Sequence, residues 1–197
     1  MTVPPVSRRD RKKAATRQAI ADAALQLFLE HGYDQVGIRD IADAADVSTA
    51  TVFKHFSGKE ALVFDQDQDR ESELIAAVRE RPSGQSVLDA LRQHVLDSWL
   101  SIDAHPQGAE FIQLVDSTPA LRTYAERMWT RYTDSLGAAL AEEIGVDRDD
   151  PACVALARFV LDIPALARGR QDRRAAVEAI FDILTHGWEQ PGKPPAP

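Results

Sequence analysis

Cysteine is almost absent from this sequence: Cys153 is the single one in 197 residues. One cysteine cannot form an internal disulfide, and no Cys/His cluster with the spacing of a zinc site accompanies it. No apolar run reaches the roughly 18 residues of a membrane-spanning helix. The charged residues up to Lys13 are not followed by the apolar stretch of a secretory signal. We therefore expect a cytoplasmic protein without a membrane partner, a metal or a cofactor.

The patterns of an enzyme are missing as well. His31, His94, His105 and His186 are scattered along the chain, with no nucleophile or base at the spacing of a catalytic motif. No glycine-rich phosphate loop occurs. A helical enzyme or carrier whose N-terminal module binds protein is the competing class, but we expect a protein that is not an enzyme.

The alternation of apolar and polar residues that is typical of strands is also missing. Ala and Leu are abundant, and apolar residues make up 44% of the chain. Apolar residues recur at helical spacing between Gly and Pro breakers. This pattern predicts an all-α fold of about nine helices, preceded by a flexible segment over residues 1–10. After the first three helices, the predicted helices cover 59–80, 86–104, 107–116, 119–144, 152–168 and 172–189, and a disordered tail covers 191–197.

The charge is unevenly distributed. The net charge of −8 argues against nucleic acid as a partner. However, residues 1–64 carry nine Lys/Arg and eight Asp/Glu, whereas the rest of the chain carries fourteen and twenty-three. Arg8–Arg17 alone contains six basic residues and one acid, Asp10. Because the local field attracts a polyanion, this segment is either a DNA-binding element or a solvated charged leader.

Three short helical patterns follow one another near the N-terminus. The first ends at Gly32, and the second carries apolar residues at helical spacing over 38–45. A turn leads to Ser48, a good N-cap for a third helix. In that helix Val52 and Phe56 point inward, while Thr49, Ala50, Lys54 and His55 point largely outward. This is the helix-turn-helix arrangement, whose second helix enters the major groove of DNA.

The residues of this segment resemble the DNA-binding region of the TetR family of repressors over about residues 15–63. The resemblance is carried by Gly32–Ala42, by Ala45–Phe56 and by Gly58-Lys59-Glu60-Ala61-Leu62. It implies an N-terminal arm and helix-turn-helix domain over 1–58 and a helical ligand-binding and dimerisation domain over 59–190. The implied function is that of a transcriptional repressor, which a small and largely apolar ligand releases from a palindromic operator.

The resemblance also implies which residues meet double-stranded DNA. Arg39 would reach a guanine edge unless it pairs with Asp43, and the basic arm Arg8–Lys13 would lie along or in a minor groove. Thr51 either contacts DNA or only caps and packs, and Phe53 is expected to be half-buried. The predicted DNA-binding residues are Arg39, Ser48, Thr49, Ala50, Thr51, Phe53, Lys54, His55 and Lys59.

Three positions depart from the family pattern. Gly37 stands where Thr or Ser is usual, which removes a hydroxyl that would contact a phosphate. Asp46 replaces the usual glycine of the turn, although Asp tolerates left-handed backbone better than most residues. Phe53 replaces a common Tyr and loses a hydrogen bond to a phosphate.

The C-terminal helices would provide dimerisation and ligand binding. Helices 152–168 and 172–189 are predicted to pair with their symmetry mates; the alternative is that their apolar stripes face only the protomer's own core. The stretch from Phe64 to Pro82 and the string that follows it, Ser83–Arg92, resemble a subgroup with an acyl-CoA-responsive domain of the mycofactocin-regulator type. Ligand entry would shift the fourth helix and alter the spacing between the DNA-reading third helices of the two protomers. The predicted pocket residues are His94, Trp99, Phe111, Gln113, Leu114, Met128, Trp129, Tyr132 and Phe159.

Overall fold

The computed structural model describes residues 7–99 and 107–187, with the side chain of Trp99 excepted. Within these ranges the chain forms ten α-helices and one π-helical turn, and no strand. The predicted all-α fold is therefore confirmed. The α-helices are α1 (Arg8–His31), α2 (Ile38–Ala44), α3 (Thr49–His55), α4 (Glu60–Val63), α5 (Asp67–Arg79), α6 (Val87–His94), α7 (Gly108–Ser117), α8 (Pro119–Ile144), α9 (Pro151–Ala167) and α10 (Arg173–His186).

The chain divides into two compact units. The first comprises the chain up to Gln68 together with Ala109–Ala125, and the second comprises Asp69–Gly108 and the chain from Glu126 onward. The domain boundary predicted between residues 58 and 59 is a functional division, and it remains a prediction.

The first unit is organised around the inner face of α1. Ile20, Ala24 and Phe28 recur at i, i+4 and i+8, so they form one buried stripe. Residues of α2, α3, α4 and α7 pack against this stripe to complete one apolar core. Gly32 ends α1 at a φ of +84°, a conformation that few residues other than glycine adopt readily.

The expected flexible start of the chain is wrong from Arg8 onward. Ser7 caps α1, because its Oγ accepts a hydrogen bond from the backbone N–H of Asp10 at 3.1 Å. The Ser7 hydroxyl also donates to the Asp10 carboxylate at 2.7 Å. The basic segment Arg8–Lys13 is therefore the opening of a helix rather than an extended arm.

The single fourth helix predicted over 59–80 is also wrong. The chain forms two helices, α4 and α5, separated by a turn over 64–66. The turn is held by packing: Phe64 stacks on Tyr124 with ring centroids 5.1 Å apart and meets Phe111 edge-on at 6.1 Å. Lys59 rather than Ser57 is the N-cap of α4, and no side chain caps this helix end.

The second unit is held by buried apolar residues and by ion pairs between α5 and α8. Glu71 on α5 accepts hydrogen bonds from Arg131 Nε at 2.7 Å and from the Ser135 hydroxyl at 2.6 Å. Arg79 pairs with Glu142 at 2.6 Å, and Arg81 pairs with Glu143. These contacts hold α5 against α8 within the unit.

Helix α6 continues into the π-helical turn Val95–Trp99, where a single helix over 86–104 was predicted. The predicted tail over 191–197 and the end of the helix predicted over 172–189 lie outside the described residues. Where the structure describes the chain, no helix combines the length and the apolar character needed to cross a membrane.

Candidate nucleic-acid interface

Helices α2 and α3 form the helix-turn-helix. Between them Asp46 has a φ of +52°, the left-handed geometry that the turn requires and that Asp tolerates. Ser48 then caps α3, and its Oγ accepts a hydrogen bond from the backbone N–H of Thr51 at 3.1 Å. Both features agree with the prediction from sequence, because each depends on residues adjacent in the chain.

Helix α3 is anchored on one face and exposed on the other. Val52 is 1% exposed and Phe56 is 3% exposed, so these two side chains fix the helix to the core. Thr49, Ala50 and Lys54 are exposed on the outer face. Phe53, which was expected to be half-buried, is 61% exposed, because its position on the helix lies away from Val52 and Phe56.

Arg17 of α1 holds the C-terminal end of α3, and it is absent from the predicted site residues. Its guanidinium donates to the backbone carbonyl of His55 at 2.5 Å and to that of Asp65 at 2.6 Å. The same group lies 4.2 Å from the ring centroid of Phe56. One side chain thus positions the end of α3 and the turn after α4.

A cluster of positive charge lies beside the end of α3. Burial, together with the charges of Arg17, Lys13 and Lys54, lowers the pKa of His55 below its usual value. The imidazole is therefore neutral at pH 7. Its Nδ1 is buried and has no hydrogen-bond partner among the residues the structure describes. The cations that influence His55 include Lys13, so the basic start of α1 lies near the C-terminal end of α3.

Lys59 is directed back into the first unit. Its Nζ donates to the backbone carbonyl of Tyr33 and lies 4.1 Å from the Tyr33 ring centroid and 5.4 Å from that of Phe28. Burial lowers the pKa of Lys59, against the opposing effect of Asp34 and Glu60. Lys59 thus supports the loop after α1, and its predicted contact with a phosphate remains a prediction.

The remaining predicted residues differ in their exposure and in their hydrogen bonds. Arg39 is exposed and forms no ion pair with Asp43 in the described structure, so its side chain is accessible to solvent. The hydroxyl of Thr51 lies 2.9 Å from that of Ser48, which favours the capping alternative for Thr51. At Gly37, the N-cap of α2, the backbone N–H donates to the Asp40 carboxylate at 2.7 Å, but glycine has no side chain to return the bond.

The segment that contains the helix-turn-helix matches a known protein family. The family model of bacterial regulatory proteins of the tetR family matches residues 20–65, from the middle of α1 to the turn after α4. A helix-turn-helix transcriptional repressor of Mycobacterium tuberculosis, Rv3405c, is 33% identical over 148 residues, which cover 72% of this chain and 75% of that protein. The chain belongs to the TetR family. It is accordingly a DNA-binding transcriptional regulator, as the sequence predicted.

Two further comparisons extend the TetR likeness beyond the matched segment. MftR of M. tuberculosis, by name a regulator of mycofactocin biosynthesis, is 24% identical over 196 residues, or 95% of this chain and 98% of that protein. The structure of SmeT in complex with triclosan has a TM-score of 0.60 at 19% identity, covering 93% of this chain and 99% of that one. The TetR-type fold therefore spans almost the whole chain.

The residues predicted to line the pocket of this TetR-family chain are distributed over both units, and the pocket stays a prediction. Phe111 and Leu114 contribute to the apolar core of the first unit, whereas Met128, Trp129 and Tyr132 belong to the second unit. Gln113 is exposed, so the structure does not place it in an interior pocket. The side chain of Trp99 lies outside the described residues.

His94, which was predicted as a polar pocket residue, lies at the C-terminal end of α6. Its Nε2 is buried and has no hydrogen-bond partner in the described part of the chain. Burial lowers the pKa of His94, against the opposing effect of Glu73 and Asp97. The direction of this shift favours the neutral imidazole, which lies directly before the π-helical turn.

Phe159 lies on the outer surface of the second unit instead of in a pocket. It is 57% exposed and lines an open depression between α9 and α10. On α10, Val177 and Phe181 are fully buried within the protomer, so part of the predicted dimerisation stripe faces the protomer's own core. The other residues lining this depression are Asp162, Ala165, Leu166, Ile180, Ile183 and Leu184.

Proposed function

We propose that this TetR-family regulator is a repressor that holds operator DNA with the outer face of α3. The observation that carries the proposal is the division of α3 into two faces. Val52 and Phe56 fix the helix inward, while Thr49, Ala50 and Lys54 are left exposed on a helix narrow enough for the major groove. Arg39 on α2 is exposed in the same helix-turn-helix and would read a guanine edge.

The basic start of α1 is proposed to contact phosphates as a rigid helix. Arg8, Arg9, Arg11, Lys12 and Lys13 are exposed, and Lys13 lies near the end of α3. Because these residues are helical, they suit the sugar-phosphate backbone beside the groove better than the interior of a narrow minor groove.

The proposed functional unit is a homodimer through α9 and α10. One helix-turn-helix grips DNA poorly, and a two-fold dimer doubles the contact on a palindrome. The depression around Phe159 supports this arrangement, because apolar side chains are exposed there. The proposed functional division of the chain follows from this arrangement. The DNA-binding segment covers 1–58, and the ligand-binding and dimerisation segment covers 59–190.

The proposed effector is a small and largely apolar molecule, acyl-CoA-like in having a long apolar chain. Support for a small effector comes from the similar structure of SmeT, which is a complex with triclosan. The buried Nε2 of His94, which has no partner among the described residues, would bond a polar group of the effector. An effector that prefers the DNA-incompetent state would release the operator. Because its partner would be the chromosome, we propose that the protein acts in the cytoplasm and has no catalytic role.

Lys54→Gln tests whether the outer face of α3 meets DNA. The full-length protein is first used to enrich a duplex from a randomised library, and its affinity is then measured across a range of salt concentrations. Affinity should fall steeply with salt, because each phosphate contact releases counterions. A dimer carrying two Lys54→Gln substitutions should lose about 1.8 from the slope of log affinity against log salt.

Arg127→Gln is the matched control, because Arg127 is an exposed cation in the second unit. It should leave the slope unchanged. If Lys54→Gln and Arg127→Gln behave alike, α3 does not carry the contact. Binding by the unmodified protein that is insensitive to salt would count against the whole proposal.

A further inference from the structure

Phe53 is the one large apolar side chain of the first unit that the structure leaves well exposed among the residues it describes. Thr49 and Ala50, four and three positions earlier on α3, are exposed beside it. Residues at these spacings are neighbours on a helix surface. The Thr49 methyl, the Ala50 methyl and the Phe53 ring therefore form a continuous apolar strip on the outer face of α3.

This outer face has little capacity to read bases through hydrogen bonds. The hydroxyls of Ser48 and Thr51 are 2.9 Å apart and bond to each other. The side chains that usually read bases by paired hydrogen bonds are Arg, Lys, Asn and Gln, and Lys54 is the sole one of these on α3. An apolar strip gains most from contact with a surface that also carries an apolar group. It therefore distinguishes positions of the groove that carry such a group from positions that do not.

The C5-methyl group of thymine is the apolar group that the major groove presents. We propose that Phe53 recognises the thymine methyl group at one position of each operator half-site, with Thr49 and Ala50 extending the contact. The inference rests on the proposed function, since α3 must lie in the groove. A ring that packed against the sugar-phosphate backbone would contribute affinity without distinguishing thymine from uracil.

The test replaces thymine by deoxyuridine, which removes the methyl group and leaves the pairing edge intact. The full-length protein enriches a duplex from a randomised library, and each thymine is then replaced in symmetric pairs. At one symmetric position the affinity should fall about fourfold for each methyl group lost. With Phe53→Ala the affinity difference between the thymine and uridine duplexes at that position should be largely lost, and only the smaller contribution of Thr49 and Ala50 should remain.

Phe53→Tyr is the matched control, because it keeps the ring and adds a hydroxyl. It should keep the preference for thymine, and thermal unfolding should show that neither variant is destabilised, since the side chain is exposed. A duplex that is insensitive to every uridine replacement would overturn the inference while leaving the proposed function intact. A uridine penalty that is undiminished in Phe53→Ala would also overturn it. A protein that enriches no duplex would overturn the proposed function, and the inference with it.

Discussion

Phe159→Asp should convert the regulator into a folded monomer that has lost its hold on a palindromic duplex. Phe159 is 57% exposed in the depression between α9 and α10, where Leu166 and Ile183 are exposed as well. A carboxylate there would have to be desolvated in a dimer, which opposes association. Sedimentation should show a monomer. The affinity for the palindromic duplex should fall by at least roughly 100-fold, because the α3 helices of the two protomers would no longer be linked.

Ile144→Asp provides the control for the added charge. Ile144 is 64% exposed and lies at the end of α8, outside the proposed dimer surface. This variant should remain dimeric and bind the duplex as the unmodified protein does. If Phe159→Asp also remains dimeric, α9 and α10 do not form the interface.

Arg17→Ala should have the largest effect on the stability of the first unit. It removes two hydrogen bonds from a charged donor, to the carbonyls of His55 and Asp65, and the contact with the Phe56 ring. We expect the free energy of unfolding to fall by about 2–4 kcal/mol. Alanine favours helix, so the loss would not come from α1 itself. Thermal or denaturant unfolding measures the change.

Two readouts distinguish positioning from a direct DNA contact by Arg17. Below the unfolding transition, DNA affinity should fall at least about tenfold, because the end of α3 is no longer held. The slope of log affinity against log salt should stay unchanged, whereas a lost phosphate contact would reduce it. Gln18→Ala is the control, since Gln18 is exposed and, among the residues the structure describes, its side chain bonds to Asp22 on the same helix. Equal stability losses in both variants would contradict the role of Arg17.

The helix-turn-helix could be predicted because its determinants are local. The cap at Ser48, the left-handed Asp46 and the inward pair Val52 and Phe56 all depend on neighbours within a few positions. Helix spacing alone places the last two on one face. The outward face of α3 follows from the same spacing, with the exception of Phe53, because large apolar residues are usually buried.

The errors arose where distant parts of the chain decide the structure. Arg17 bonds to backbone carbonyls 38 and 48 positions away, which no residue-type pattern indicates. The break before α5 depends on Phe64 meeting Phe111 and Tyr124, which lie far along the chain. The pocket was predicted from apolar and aromatic residues and stays a prediction, because residue type alone cannot separate a ligand pocket from the core or from an exposed surface patch.

A thiol placed on α3 would report most directly whether this helix meets the duplex. The native Cys153 is buried, so Ala50→Cys adds an exposed thiol on the outer face, and Ile144→Cys adds one at the end of α8. Alkylation of each variant is timed with and without the enriched duplex. The duplex should strongly slow alkylation at position 50 and leave position 144 unaffected. Unchanged alkylation at position 50 while the duplex is bound would show that DNA is held by another surface.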